Sequence, residues 1–132
     1  MIAKDIMTRD IITVDTTMTI KKLAMTLIKN QISGAPVAGK NGKIVGVVSE
    51  ADIVGKKGKD VKAIMSKKII GVVEDTSVEE IAQLMTTHKI KRVPVMRGEE
   101  VVGIISRADI VSAIAQGEQV IAVDVNFTWE IK

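Results

Sequence analysis

Gly46-Val47-Val48-Ser49-Glu50-Ala51-Asp52-Ile53-Val54 returns as Gly103-Ile104-Ile105-Ser106-Arg107-Ala108-Asp109-Ile110-Val111, 57 positions further along the chain. Self-similarity at a fixed spacing identifies the folding unit before any local structure is assigned. Toward the N-terminus, Pro36-Val37 falls on Pro94-Val95 at an offset of 58. The same offset carries Ile32 onto Ile90, Ala24 onto Ala82, Val14 onto Val72, Ile11-Ile12 onto Ile69-Ile70 and Ile6-Met7 onto Ile64-Met65. The change from 58 to 57 is a one-residue deletion in the second copy, between two expected strands where a loop absorbs it. The chain therefore divides into residues 1–58, residues 59–117 and an unrepeated stretch, 118–132.

Each copy reads as strand, helix, strand, strand, helix. Ile11-Ile12-Thr13-Val14 is a short β-branched run, and Thr19 then offers an N-cap to a helix whose Ile20, Leu23, Ala24, Leu27 and Ile28 recur at helical spacing. Ala35-Pro36-Val37-Ala38 follows, and Asn41-Gly42 predicts a tight hairpin into Lys43-Ile44-Val45-Gly46-Val47-Val48. A second helix starts near Ser49. In the second copy Ser77-Val78-Glu79-Glu80 has the capping-box pattern, with Val78, Ile81, Ala82 and Met85 on the buried stripe. A unit of this size buries too little surface alone, so the two copies are expected to pack sheet against sheet. The fold class is α+β.

Composition narrows the chemistry. The 132 residues are 46% apolar and 27% charged, as in an ordinary globular domain. No run approaches the roughly 18 apolar residues of a membrane span, and Met1-Ile2-Ala3-Lys4-Asp5-Ile6 lacks a signal peptide's apolar core, so the expected location is the cytoplasm. With no cysteine and a single histidine, His88, no metal site is expected. Nothing in the sequence pairs a nucleophile with a base or sets up a carboxylate dyad, and no catalytic residue is expected. The net charge of +3 and the lone basic cluster Lys56-Lys57-Gly58-Lys59 give little ground for nucleic-acid binding.

The repeated closing motif has two readings. Ser49 and Ser106 stand where an N-cap hydroxyl satisfies a free backbone N–H, with Asp52 and Asp109 in the first helical turn, an arrangement any helix can use. Facing a cleft, the same groups suit a nucleoside phosphate: a hydroxyl at a helix start favours phosphate, and a carboxylate accepts two hydrogen bonds from a ribose diol. The copies differ before Pro-Val, where Lys91-Arg92 stands in the second and Ser33-Gly34 in the first. Arg92 is the side chain best suited to grip phosphate, assisted by Lys91. As exposed charges on an edge strand, the two would instead discourage aggregation. His88 and Arg107 stand near this group and outside its core.

From position 4 to 116 the chain resembles a tandem pair of cystathionine β-synthase (CBS) repeats, also called a Bateman module. The resemblance rests on Asp5-Ile6-Met7-Thr8 and Ala63-Ile64-Met65-Ser66, on Ala35-Pro36-Val37 and Val93-Pro94-Val95, and on both closing motifs. It implies two β-α-β-β-α units about a pseudo-twofold axis, with two clefts between the sheets and a tendency to form flat dimers. It also implies that Ser49 and Ser106 contact phosphate and that Asp52 and Asp109 hold ribose hydroxyls. Adenine would then lie on apolar surface of the opposite copy, with Ile12, Ile32 and Ser33 facing Asp109, and Ile70, Ile90 and Lys91 facing Asp52.

The function expected on these grounds is a non-enzymatic regulatory module. It would sense AMP, ADP, ATP or S-adenosylmethionine as a regulatory ligand, with no required cofactor, and signal to a regulated protein the sequence does not name. The competing reading is a structural oligomerisation domain without ligand. Beyond Gly117, Val123-Asp124-Val125-Asn126-Phe127-Thr128-Trp129-Glu130-Ile131 alternates apolar and polar residues as a half-buried β-strand does. Such a strand needs a sheet edge, either its own domain's or that of a second subunit in a homodimer.

Overall fold

The computed structural model describes residues 1–117, so the strand expected over 118–132 lies outside the described residues. The elements run α1 (Ala3–Ile6), β1 (Val14–Asp15), α2 (Ile20–Asn30), β2 (Gly34–Ala38), β3 (Ile44–Ser49), α3 (Glu50–Gly55), α4 (Val61–Ile64), β4 (Val72–Val73), α5 (Val78–His88), β5 (Arg92–Arg97), β6 (Glu100–Ser106) and α6 (Arg107–Ala115). They build two three-stranded sheets, ordered β1-β2-β3 and β4-β5-β6. In each sheet the first pair is parallel and the second antiparallel. The α+β class and the paired repeat are thus present, with one short helix, α1 or α4, added ahead of each unit.

Those added helices are exchanged. Helix α1 packs into the second half, where Ala3 and Met7 join Val72, Val78, Ile81, Met85, Val93, Val95 and Ile105 in one core. Helix α4 packs into the first half, where Val61 and Ile64 join Val14, Leu23, Leu27, Val37 and Val48. Backbone pairs lock both exchanges. Thr8 and Ile104 trade N–H to O bonds of 2.9 and 3.0 Å, and Ser66 and Val47 trade bonds of 2.8 and 2.9 Å. At the other end, Ala3 N donates to Thr76 O at 2.8 Å and Val61 N donates to Met18 O at 2.9 Å. Folding units therefore do not coincide with the sequence repeats, because each repeat's opening segment completes its partner's core.

The repeated Gly and Met are two sides of this contact. A Cβ on Gly46 would stand 2.6 Å from Ser66 O and 3.0 Å from Met65 Sδ. A Cβ on Gly103 would run into Met7 Sδ and lie 2.7 Å from its Cγ. Only glycine lets the incoming methionine lie flat on the strand.

The first strand of each copy is shorter than its β-branched run, and the prolines explain it. Val47 spends its N–H and C=O on Ser66, so its partner Pro36 turns its backbone toward β1. Pro36 has no N–H to offer there, and the β1 ladder begins only at Val14 opposite Val37. Ile11, Ile12 and Thr13 stay outside the sheet. Pro94 does the same to Ile69 and Ile70 ahead of β4. The Asn41-Gly42 hairpin also departs from a two-residue turn. Gly39 N donates to Lys43 O at 2.8 Å around the three-residue tip Lys40–Gly42, with Asn41 and Gly42 at φ 74° and 73°. The second copy closes on Gly98-Glu99 between β5 and β6, so the deletion falls in this hairpin.

Thr19 and Ser77 cap α2 and α5 by accepting from Lys22 N at 3.2 Å and Glu80 N at 3.1 Å. The buried stripes are Leu23 and Leu27 on α2, and Val78, Ile81 and Met85 on α5. Ile28 is a departure: expected on the stripe, it is 78% exposed. Because Ile64 is buried in a core assembled from the first copy, Ile64→Ala is expected to destabilise that half by about 2–5 kcal/mol. Gly46→Ala, which forces the Ser66 carbonyl to move, is expected to cost about 1–3 kcal/mol. Urea denaturation of both variants checks this; unchanged midpoints would contradict the exchange.

Candidate functional site

The two sheets face each other across a cleft of about 540 Å³ lined by both copies, within the usual size range of small-molecule sites. One wall comes from the end of β3 and the start of α3, with Val47, Ser49, Glu50 and Asp52. The other comes from the segment ahead of β4 and from the turn between α5 and β5, with Lys68, Ile70, Ile90, Lys91 and Arg92. Pro36 and Pro94 line it as well. Since Pro94 ends the ladder before Ile70, that side chain lies outside any strand and is left to the cleft.

Ser49 and Asp52 are engaged with each other. Asp52 Oδ2 accepts Ser49 N–H at 2.9 Å and the Ser49 hydroxyl at 3.3 Å. Its other oxygen, Oδ1, is 2.8 Å from Lys56 Nζ, which also donates to Ile64 O at 3.1 Å. In the second copy Asp109 Oδ2 accepts Ser106 N–H at 2.8 Å and the Ser106 hydroxyl at 3.1 Å, and Ser106 Oγ accepts Asp109 N–H at 3.3 Å. The repeat puts Ala113 where the first copy has Lys56, and Asp109 Oδ1 has no partner among the described residues. The capping role of both motifs is therefore real, and the Asp52 carboxylate is in addition neutralised.

Arg92 crosses the cleft. Its Nη1 would be 2.9 Å from a Cβ on Gly34, the residue that occupies Arg92's own position in the first copy. Equivalent positions meet near the pseudo-axis, so one guanidinium fits because the other position is glycine. Partial burial lowers the Arg92 pKa from its usual value, and the charge of Glu50 opposes that shift. The side chain stays protonated. Among the described residues it makes no hydrogen bond or ion pair.

The structure brings Ser49, Asp52, Ile70, Lys91 and Arg92 to one cleft, with Ile90 beside them. Ser33, placed opposite Asp109 by the repeat, lines this Asp52 cleft, its carbonyl accepting Glu50 N–H at 2.9 Å. Ser33 sits just ahead of β2, where β3 hands over to α3. Ile12, Ser106 and Asp109 do not line this cleft. Ile12 is half-buried ahead of β1, and Ile32 packs on the first core. Arg107 N donates to Lys91 O at 3.0 Å. Missing from the sequence reading were Lys68, Lys89 and the Lys56 pair; His88, set aside there, lines the cleft too.

A model of the CBS domain matches residues 3–58 and again 61–116. The chain belongs to the CBS domain family. Its similarity to other CBS pairs extends through nearly all the described residues. The CBS domain pair of protein MJ0100, solved in complex with 5′-methylthioadenosine and S-adenosyl-L-methionine, superposes with a TM-score of 0.83 at 30% identity, covering 89% of this chain and 98% of that one. CBSX2 in complex with AMP gives a TM-score of 0.83 at 26% identity with the same coverage. Among curated relatives, an uncharacterised protein of Methanocaldococcus jannaschii is 30% identical, covering 86% of this chain and 91% of the relative. The L-aspartate semialdehyde sulfurtransferase of that organism is 33% identical over 83% of this chain, which spans 22% of the enzyme. Its inosine-5′-monophosphate dehydrogenase is 31% identical, and the CBS pair again spans 22% of it. No helix among the described residues is long and apolar enough to cross a membrane.

Removing either aspartate from this CBS pair removes a cap. Asp52→Ala and Asp109→Ala are each expected to lower stability by about 1 kcal/mol. Urea midpoints measure the loss, and unchanged midpoints would show that the boxes contribute nothing.

Proposed function

We propose that this CBS pair is a non-catalytic regulatory module that binds an adenine-containing nucleotide between its repeats and passes the resulting change of shape to a partner protein. The observation that carries this reading is the open cleft itself, which joins an apolar strip, Ile70 and Ile90, to the cations Lys91 and Arg92 and to the Ser49-Asp52 box. An adenine ring fits the strip, a ribose diol hydrogen-bonds to the carboxylate, and phosphate meets the guanidinium. Ser106 and Asp109 offer the corresponding box in a second cleft, with Ile12 on its facing wall. The MJ0100 pair with S-adenosyl-L-methionine and CBSX2 with AMP support the ligand class.

Regulation needs a ligand that prefers one shape over another. Here Lys56 ties Asp52 in α3 to the Ile64 carbonyl at the end of α4. A ribose taking Asp52 Oδ1 competes with that tie and loosens one copy's last helix from the other copy's exchanged segment. In this reading the CBS pair works as a homodimer in the cytoplasm, and a separate regulated protein reads the change through contacts with the whole pair. A ligand-free assembly domain is the competing reading, and the internal satisfaction of both Ser-Asp boxes favours it.

Thermal unfolding against AMP, ADP, ATP, S-adenosylmethionine and NADH decides between them. A ligand at 100 times its Kd stabilises by about 2.7 kcal/mol, so at least one of the set is expected to raise Tm by several degrees. No shift with any of them would leave the assembly reading standing.

A further inference from the structure

The cleft carries more basic than acidic side chains. Lys68, Lys89, Lys91 and Arg92 line it, against the carboxylates Glu50 and Asp52, and Asp52 already holds Lys56 at 2.8 Å. At the corresponding positions the first copy has Asp10, Gln31, Ser33 and Gly34. One substitution runs the other way, Arg107 for Glu50, and because Ser33 and Gly34 line this cleft too, their counterparts Lys91 and Arg92 stand at positions common to both sides, so Lys68 and Lys89 are the cations particular to the Asp52 side. All four cations come from two short stretches of the second copy, one ahead of β4 and one between α5 and β5. The backbone is duplicated and the charge is not.

Two details indicate that these charges await a ligand. Arg92 is partly desolvated with no ion pair among the described residues, a cost that an anion in the cleft would offset. Lys89 occupies the left-handed C-cap of α5 at φ 53°, as uncharged Gln31 does on α2 at φ 54°, so the conformation is shared and only the cation at the cleft rim is particular to the second copy.

We infer that the Asp52 cleft is selective for a nucleoside di- or triphosphate over the monophosphate and over phosphate-free adenosines, with the β- and γ-phosphates held by Lys68, Lys89, Lys91 and Arg92. This rests on the nucleotide-sensor reading and specifies its ligand.

Calorimetric titration of the full chain with adenosine, AMP, ADP and ATP, at low and at raised salt, tests it. ADP and ATP are expected to bind at least about tenfold more tightly than AMP, with adenosine weakest and the advantage shrinking as salt rises. The variant Lys89→Gly with Lys91→Ala relieves the left-handed residue and so keeps the fold, yet it is expected to erase most of that advantage; Arg92→Ala is expected to erase it further. Lys21→Ala, an exposed charge on α2, controls for net charge and is expected to leave the order intact. Binding of all four probes without a phosphate order, or an order that survives loss of Lys89, Lys91 and Arg92, would overturn the selectivity and leave the sensor reading in place. Silence from all four would overturn the selectivity, and the sensor reading falls with it only where S-adenosylmethionine and NADH are silent too.

Discussion

Everything in this molecule depends on two methionines lying across two glycines. Met7 covers Gly103 and Met65 covers Gly46, and each contact carries a segment of one repeat into the core of the other. A side chain at Gly46 would meet the Ser66 carbonyl and strain the Val47-Ser66 backbone pair, and one at Gly103 would displace the Met7 side chain. The exchange answers the size problem of a short repeat, since neither half has a complete core without the residues the other lends it. It also fixes the relation between the two sheets, so the cleft is set by the core and not by a flexible linker.

On that symmetric frame the chemistry is one-sided. The Ser-Asp boxes are duplicated almost bond for bond. Lys56 and the basic wall have no counterparts, and at the pseudo-axis Arg92 faces Gly34 because two guanidinium groups cannot share the space. The duplicated frame carries unequal charge, with Lys68 and Lys89 on the wall of the Asp52 cleft where the first copy has Asp10 and Gln31. A ligand in that cleft touches residues of both copies at once, which is the condition for its binding to alter how the copies sit against each other.

Much of this was legible in the sequence. The offset, the caps at Thr19 and Ser77, and the stripes through Leu23-Leu27 and Ile81-Met85 follow from local rules that tertiary contacts did not override. The facing of Ile70, Ile90 and Lys91 toward Asp52 came from family resemblance and is realised in the lining of one cleft. The exchange was not legible, because periodicity within a repeat cannot say whose core Ile64 will enter. The early end of the first strands was hidden for a related reason: Ile11-Ile12 has strand propensity, and the missing N–H that stops the ladder belongs to Pro36, more than twenty residues away. Lys68 and Lys89 were available in principle, by comparing charges at every paired position and not only before Pro-Val. The Lys56 pair depends on where a long side chain turns, which no spacing encodes.

The account stands or falls on a nucleotide touching both repeats together. Backbone amide shifts followed by NMR during an ADP titration report this directly. The account predicts saturable shifts on both walls of one cleft, at residues 47–52 of the first copy and 88–92 of the second. Shifts confined to one wall, or spread over surfaces away from the cleft, would contradict it.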